Sequence, residues 1–261
     1  MSAVATWKIK AGSLEYPLII AHRGDYSLAP ENTISAFLRA VEIGADALEL
    51  DVHLSRDGKV VVFHDRKLDR MTNGKGWLRA HTLQELRSLS LNQDGGGDNA
   101  ERIPTLEEVF QSLSPEFLVC VELKARIAGI RELPLRVAEV IERHRRWETT
   151  LVHSFNPVSL YYMRHCAKES TVGLIWKRKH PYPLRARWLS PLAKPHWSVP
   201  ADHTFNHQVL VHFHNQGKPV LAWDIDAGTD LEELGRIGLD AVVTNNPQRL
   251  VDQKHGRLPN G

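Results

Sequence analysis

Three consecutive stretches, Leu18-Ile19-Ile20-Ala21-His22-Arg23-Gly24, Asn32-Thr33-Ile34-Ser35-Ala36-Phe37-Leu38-Arg39-Ala40-Val41-Glu42-Ile43-Gly44 and Ala47-Leu48-Glu49-Leu50-Asp51-Val52-His53-Leu54, decide how this chain folds. The first is a short apolar run that ends on charged groups, the signature of a core strand opening into a loop. The second predicts a helix over about 32–43, with Thr33 at the cap, Pro30 just upstream and Gly44 as terminator. The third is a strand whose alternate positions carry carboxylates. Strand, helix and strand in this order make one βαβ unit, and parallel strands follow.

Working outward, Arg56-Asp57-Gly58 predicts a hairpin turn, and Val60 to Phe63 returns antiparallel to the second strand. Residues 66–102 are loop-rich, with Asn73-Gly74, Gly76 and Asp94-Gly95-Gly96-Gly97-Asp98, interrupted by a short helix near 82–89. So long a connection inside a compact domain is expected to be a functional insertion on the active face. Thr105 then caps a helix to Leu113. Further strands are expected at 117–123, 151–153, 171–175, 197–199, 219–223 and 241–243, and helices at 133–146, 157–167 (capped by Asn156), 204–215 and 229–237. The hairpin return aside, this gives eight strands, the number in a (β/α)8 TIM barrel, here with a small insertion after the second strand. Such barrels carry their sites at the carboxyl ends of the strands.

Composition sets the outer limits. The chain has 261 residues, 42% of them apolar and 25% charged, which fits one soluble globular domain spanning 1–261. A formal charge of +2 gives no electrostatic case for nucleic acid. No run approaches the ~20 apolar residues that cross a bilayer, and residues 1–12 carry no apolar segment of secretory length, so the expected address is cytoplasmic. Cys120 and Cys166 read as reduced, structural thiols. One local exception to the charge balance is the segment 176–194, where Lys177, Arg178, Lys179, Arg185 and Arg187 alternate with Trp176, Tyr182 and Trp188. It reads either as a solvated loop or as a lip facing phosphate or lipid headgroups.

Polar clusters close four of the apolar runs: His22-Arg23-Gly24, Glu49-Leu50-Asp51, His64-Asp65 and Glu122-Leu123-Lys124. Residues two apart in a strand share a face, so Glu49 and Asp51 present two carboxylates together, and hard oxygen ligands suit Mg²⁺ or Ca²⁺. Glu122 and Lys124 repeat that geometry, adding a third candidate ligand and a cation. Each pair alone is equally a salt-bridged rim. His22 and His64, on separate strands, are candidates for general acid and base. Arg23 offers a planar fork to a phosphate oxygen, Gly24 lets the chain turn, and Lys124 brings charge to the same phosphorus. Trp223 and Phe155 are packing residues or walls for a substrate. His153, His203, His207, His212 and His214 form no ligand set by spacing and are expected mostly at the surface. Ser154 lacks a nucleophile elbow, and no Walker or dinucleotide loop is present.

As an ordered set, the motifs resemble those of the glycerophosphodiester phosphodiesterases. They run from Ala21-His22-Arg23-Gly24 and Ala29-Pro30-Glu31-Asn32-Thr33, through Glu49-Leu50-Asp51-Val52, Asp57-Gly58, His64-Asp65, Asn73-Gly74-Lys75-Gly76, Ile103-Pro104-Thr105-Leu106 and Glu122-Leu123-Lys124. They end in His153-Ser154-Phe155, Val220-Leu221-Ala222-Trp223 and 238–247. The resemblance implies a TIM barrel with a small subdomain at about 66–102. It further implies a divalent cation on Glu49, Asp51 and Glu122, acid and base roles for His22 and His64, and phosphate contacts from Arg23 and Lys124. The implied reaction converts deacylated phospholipids such as glycerophosphocholine to glycerol 3-phosphate and an alcohol: the substrate's glycerol hydroxyl attacks phosphorus, a cyclic phosphate forms, and water opens it. A lysophospholipase D activity on monoacylated substrates, with a greasy groove near Trp176, Tyr182, Trp188 and Phe155, is the alternative; a non-catalytic binding barrel is the other. Two departures from the family pattern stand out: Asp224-Ile225-Asp226, where Asn often follows the tryptophan, and Asn245, where Asp is common.

Overall fold

The computed structural model describes residues 6–91, 101–125, 130–177, 190–201, 205–223 and 230–257. In chain order the elements are β1 (Leu18–His22), α1 (Ile34–Glu42), β2 (Ala47–Leu54), β3 (Val60–Val62), α2 (Leu83–Arg87), α3 (Leu106–Ser112), β4 (Leu118–Leu123), α4 (Glu132–Arg143) and β5 (Thr150–Ser154). They continue as α5 (Pro157–Cys166), β6 (Thr171–Trp176), α6 (Ser190–Ala193), β7 (Trp197–Pro200), α7 (His207–His214), β8 (Leu221–Trp223), α8 (Leu231–Arg236), β9 (Ala241–Thr244) and α9 (Pro247–Lys254).

Eight parallel strands run in the order β7-β6-β5-β4-β2-β1-β9-β8, and β3 hangs antiparallel on β2. Parallel bridges Ser198↔Val220 and Ala201↔Trp223 join β7 to β8 and bring the sheet almost to closure. The result is the (β/α)8 barrel that the strand count predicts. Differences lie at element ends. The first helix begins at Ile34 rather than Asn32, because Asn32 sits at φ +60° with its side chain turned toward β2. The eighth parallel strand is shortened to 221–223, with Val220 bridging alone. Helix α9 was not foreseen; Pro247 at its first turn and Asn246 as its cap make an ordinary helix start.

Inside the barrel the inward positions change character along each strand. Toward the amino ends Ile20, Ala47, Leu118, Cys120, Leu151, Leu221, Ala241 and Val243 form one apolar cluster with Trp7 and Trp197. Trp7 plugs that end: its indole donates to the Thr149 carbonyl at 3.1 Å, and its own carbonyl accepts from the Trp197 indole at 3.0 Å. The plug keeps water out from below, so the polar inward positions at the carboxyl ends open in one direction. Cys120 and Cys166 are both free thiols, as expected.

The segment following β3 carries its own small apolar cluster, Val61, Phe63, Leu68, Leu78, Leu86 and Ile103. Within it α2 starts on a reciprocal capping box between Thr82 and Glu85, and α3 repeats the device with Thr105 and Glu108. Of the residues 66–102 expected as an insertion, 66–91 and 101–102 are described, and residues 92–100 lie outside the described set.

Candidate active site

Strand register explains why distant residues converge. His22 on β1 pairs with Glu49 on β2, Asp51 pairs with Glu122 on β4, and Glu122 pairs with His153 on β5. His22, Glu122 and His153 lie within the last two residues of their strands, Glu49 and Asp51 sit opposite them in β2, which runs on to pair with β3, and all five side chains are buried. One ligand atom from each of Glu49, Glu122 and His153 lies within 4.8 Å of the others. Glu49 Oε1 is 3.6 Å from His153 Nε2, and Glu49 Oε2 is 3.9 Å from His22 Nε2.

His153 corrects the expectation of a surface histidine. It is wholly buried, and burial drives its pKa down to about 4, so it is a neutral imidazole at cellular pH. His207 and His212 are exposed, and His214 binds Asp240 at 2.6 Å. His203 lies outside the described residues. Counting spacings along the chain could not single out His153, since its partners come from cross-strand register.

Asp51 faces cations. Lys124 Nζ lies 2.8 Å from its Oδ1 and 2.9 Å from Glu122 Oε1, Arg23 Nε lies 3.4 Å from its Oδ2, and Asn32 Nδ2 donates to Oδ2 at 3.0 Å. Burial opposes the charge on Asp51, yet Lys124, His64 and Arg23 outweigh it and hold this carboxyl far below its usual range. Glu49 and Glu122 behave oppositely. Burial first, and the neighbouring Asp51 charge with it, pushes each of them up to about 7.

Arg23 sits at φ +58° and Gly24 at +84°, which folds the chain sharply as it leaves β1. A Cβ on Gly24 would lie 2.7 Å from the Ala36 backbone, so only glycine fits. The turn directs Arg23 inward, where Glu31 accepts from its Nη1 at 3.0 Å. Glu31 in turn accepts from Arg70 Nη2 at 2.6 Å, and Arg70 Nε donates to Asp65 at 2.6 Å. Asp65 closes the chain on His64, with 2.6 Å between its Oδ1 and Nδ1. Burial lowers the His64 pKa, while Asp51 and Asp65 pull it back up.

The two candidate acid–base histidines thus differ in their supports. His64 leans on a carboxylate, whereas His22 Nδ1 lies 2.6 Å from the amide oxygen of Asn245, which also accepts from the Tyr26 hydroxyl at 2.7 Å. An amide oxygen only accepts, so Nδ1 carries a proton toward Asn245, and Nε2 is the nitrogen that faces Glu49. The departure at Asn245 therefore touches a site residue directly. The departure at 224–226 falls outside the described residues.

Trp223 closes one side of the site. Its ring lies edge-on to His22 at 5.4 Å and stacked on His153 at 5.7 Å, with Phe155 at 6.1 Å behind. It is a wall of the site as well as a packing residue. Of the proposed aromatic lip, Trp176 is anchored by a 3.0 Å hydrogen bond to Ser198, and Tyr182 and Trp188 lie outside the described residues.

Whether these side chains suit a cation can be judged from what they leave unsatisfied. Glu49 Oε1, Glu122 Oε2, His153 Nε2 and His22 Nε2 are buried and have no hydrogen-bond partner among the described residues. Orphaned polar atoms are rare in folded proteins, and a cluster of acceptors at one place, two of them on carboxylates, is what a divalent cation satisfies.

Comparison with known proteins gives the same direction. Residues 22–249 match the "Glycerophosphoryl diester phosphodiesterase family". A "Glycerophosphodiester phosphodiesterase" of Caldanaerobacter subterraneus subsp. tengcongensis is 35% identical over 241 residues, covering 90% of this chain and 96% of the relative. One from Bacillus altitudinis is 30% identical over 239 residues, covering 89% and 96%. Among solved structures, an Oleispira antarctica phosphodiesterase in complex with its product sn-glycerol-3-phosphate superposes with a TM-score of 0.81 at 30% identity, over 92% of this chain and 97% of that one. With the fold, the strand-end residues and these matches over nearly its whole length in agreement, the chain belongs to the glycerophosphodiester phosphodiesterase family of hydrolases.

Proposed function

We propose that this chain hydrolyses glycerophosphodiesters, such as glycerophosphocholine and glycerophosphoethanolamine, to sn-glycerol 3-phosphate and an alcohol, with a divalent cation, Mg²⁺ or Ca²⁺, held by Glu49, Asp51 and Glu122. The observation that carries the reading is the group of orphaned buried acceptors around Glu49 and Glu122, set beside the histidines and the cationic side chains of Arg23 and Lys124. The product bound in the Oleispira relative supports the same substrate class. A bound divalent cation would supply Lewis-acid polarisation of the phosphoryl oxygens and fix the diester in place.

The chain's own residues supply the rest. Arg23 and Lys124 bind the phosphoryl oxygens, neutralising charge that would otherwise repel an attacking oxygen. His22, with its proton fixed on Nδ1 by Asn245, takes a proton at Nε2 from the attacking hydroxyl. His64, paired with Asp65, gives a proton to the departing alkoxide, and water then opens the cyclic phosphate left by the glycerol hydroxyl's attack to give sn-glycerol 3-phosphate. Trp223 shields His22 on one side and limits water there. His153, neutral and without a hydrogen-bond partner, is an additional candidate donor to the cation.

Cation binding is read most simply by thermal melting. Mg²⁺ or Ca²⁺ at about 100 times its dissociation constant is expected to stabilise the protein by about 2.7 kcal/mol. For a chain of this size that is a rise of roughly 5–10 °C. No rise with either ion, under conditions where the protein turns over substrate, would remove the cation from the proposal.

A further inference from the structure

A cavity of about 430 Å³ lies between the carboxyl ends of β2 and β4 and the segment that follows β3, and shares Lys124 with the site. His53, Arg56, Arg66, Trp77, Arg79 and Lys124 are among the residues lining it. Two of these connect it to the chemistry. Lys124 is shared, its Nζ lying against Asp51 and Glu122, and His53 Nε2 lies 3.1 Å from the His64 carbonyl. Burial holds His53 down to about 4, so it is neutral and donates that hydrogen bond.

The walls have one dominant sign. Among the described lining residues, Arg56, Arg66, Arg79 and Lys124 face one carboxylate, Glu132. Trp77 is 46% exposed, the kind of face that in other settings receives a quaternary ammonium group. Here its ring is already taken: Lys67 Nζ is 5.7 Å and Arg79 Cζ 5.8 Å from its centroid. A cationic alcohol such as choline entering the cavity would meet two cations on Trp77, the one aromatic side chain among the described lining residues. Arg56 is fixed at the rim by the Ala80 carbonyl at 3.1 Å and by Glu85 at 3.2 Å, which orders the basic wall.

Resting on the proposed hydrolysis, we infer that this cavity is the subsite for the alcohol half of the diester and that it selects an alcohol carrying a further anionic group, such as a second phosphate, over choline. His64, whose carbonyl is bonded by the lining residue His53, is then the histidine beside the leaving oxygen. The volume accommodates a glycerol-sized polyol with a phosphate attached. The basic walls attract such a group, and like charges set against a choline headgroup repel it.

The test compares three substrates: bis(glycerophospho)glycerol, with an anionic alcohol half, glycerophosphoglycerol, with a neutral one, and glycerophosphocholine. The wild-type kcat/KM is expected to fall in that order, by about tenfold between the extremes at low salt. The difference should shrink as ionic strength rises and the Debye length contracts. Arg79→Glu is expected to lower the ratio of the anionic to the choline substrate by about fivefold or more. A wild-type preference for glycerophosphocholine, or a ratio unmoved by Arg79→Glu, would overturn the subsite. Turnover of none of the three would instead refute the hydrolase reading, and calorimetric titration with bis(glycerophospho)glycerol then decides the subsite separately. Binding weakened fivefold or more by Arg79→Glu supports it; equal binding by both proteins, or none, contradicts it.

Discussion

Glu49→Gln is expected to lower kcat/KM by about 10³ or more while raising the melting temperature of the metal-free protein at pH 8. The loss of rate follows from position. Glu49 lies at the centre of the orphaned acceptors, within reach of His22 and His153, and its Oε2 accepts from the Arg23 backbone N–H at 3.3 Å. An amide in its place is a weak ligand for a hard cation, and losing about 4 kcal/mol of charge stabilisation is a thousandfold in rate.

The gain in stability follows from linkage. Glu49 titrates near 7 in the folded chain against an ordinary value of 4.5, because burial and then Asp51 oppose its charge. A carboxyl with a raised folded-state pKa destabilises the fold increasingly as pH climbs from its unfolded value to its folded one. The cost is therefore absent below about pH 4.5 and complete above about 7. Removing the charge at pH 8 should recover about 1–3 kcal/mol, allowing for relaxation around a coupled group. At roughly 2–4 °C per kcal/mol the melting temperature rises by several degrees, and the difference narrows as the pH is lowered toward 5. Melting curves in chelator at both pH values check this. A Gln variant less stable than wild type at pH 8, or one that keeps a tenth of the wild-type rate, would contradict the account.

His64→Ala and His22→Ala are each expected to lose 10² to 10⁴ in kcat on an alkyl diester, the usual range for a removed acid or base. They should part on a substrate with a nitrophenyl leaving group. Nitrophenolate departs without a proton, so the His64 variant regains most of its activity and the His22 variant does not. The distinction comes from the different supports, Asp65 behind one ring and the Asn245 amide behind the other. If the two variants respond alike to the better leaving group, the assignment of His22 as base and His64 as acid fails.

Much of this architecture is readable from local sequence. The alternation of Glu49, Leu50 and Asp51 places the carboxylates on the inward face, and the same period puts Glu122 and Lys124 there. Thr33, Thr105 and Asn156 are visible as caps because their side-chain oxygens precede helical runs, and each accepts a backbone N–H as expected. What local reading loses is register. His153 enters the site because β5 pairs with β4 at Glu122, a relation between residues 31 positions apart in sequence but neighbours in the sheet. Asn32 has the residue type of a helix start, yet it adopts φ +60° and turns its amide onto Asp51, which no periodicity reveals. The chain Arg23, Glu31, Arg70 and Asp65 is similarly invisible, since long side chains meet across a turn and an inserted segment. Asn245 is different: its identity stands out in the sequence, and only the 2.6 Å contact with His22 shows what the residue touches.

The central claim is cation-dependent cleavage of a glycerophosphodiester at the cluster around Glu49. Phosphorus NMR of the purified chain with a glycerophosphodiester, run with Mg²⁺ or Ca²⁺ and again with excess chelator, tests it most directly. The diester resonance should be replaced by that of sn-glycerol 3-phosphate with the cation and persist in chelator. Equal conversion in both samples, or a product other than this phosphomonoester, would contradict the account.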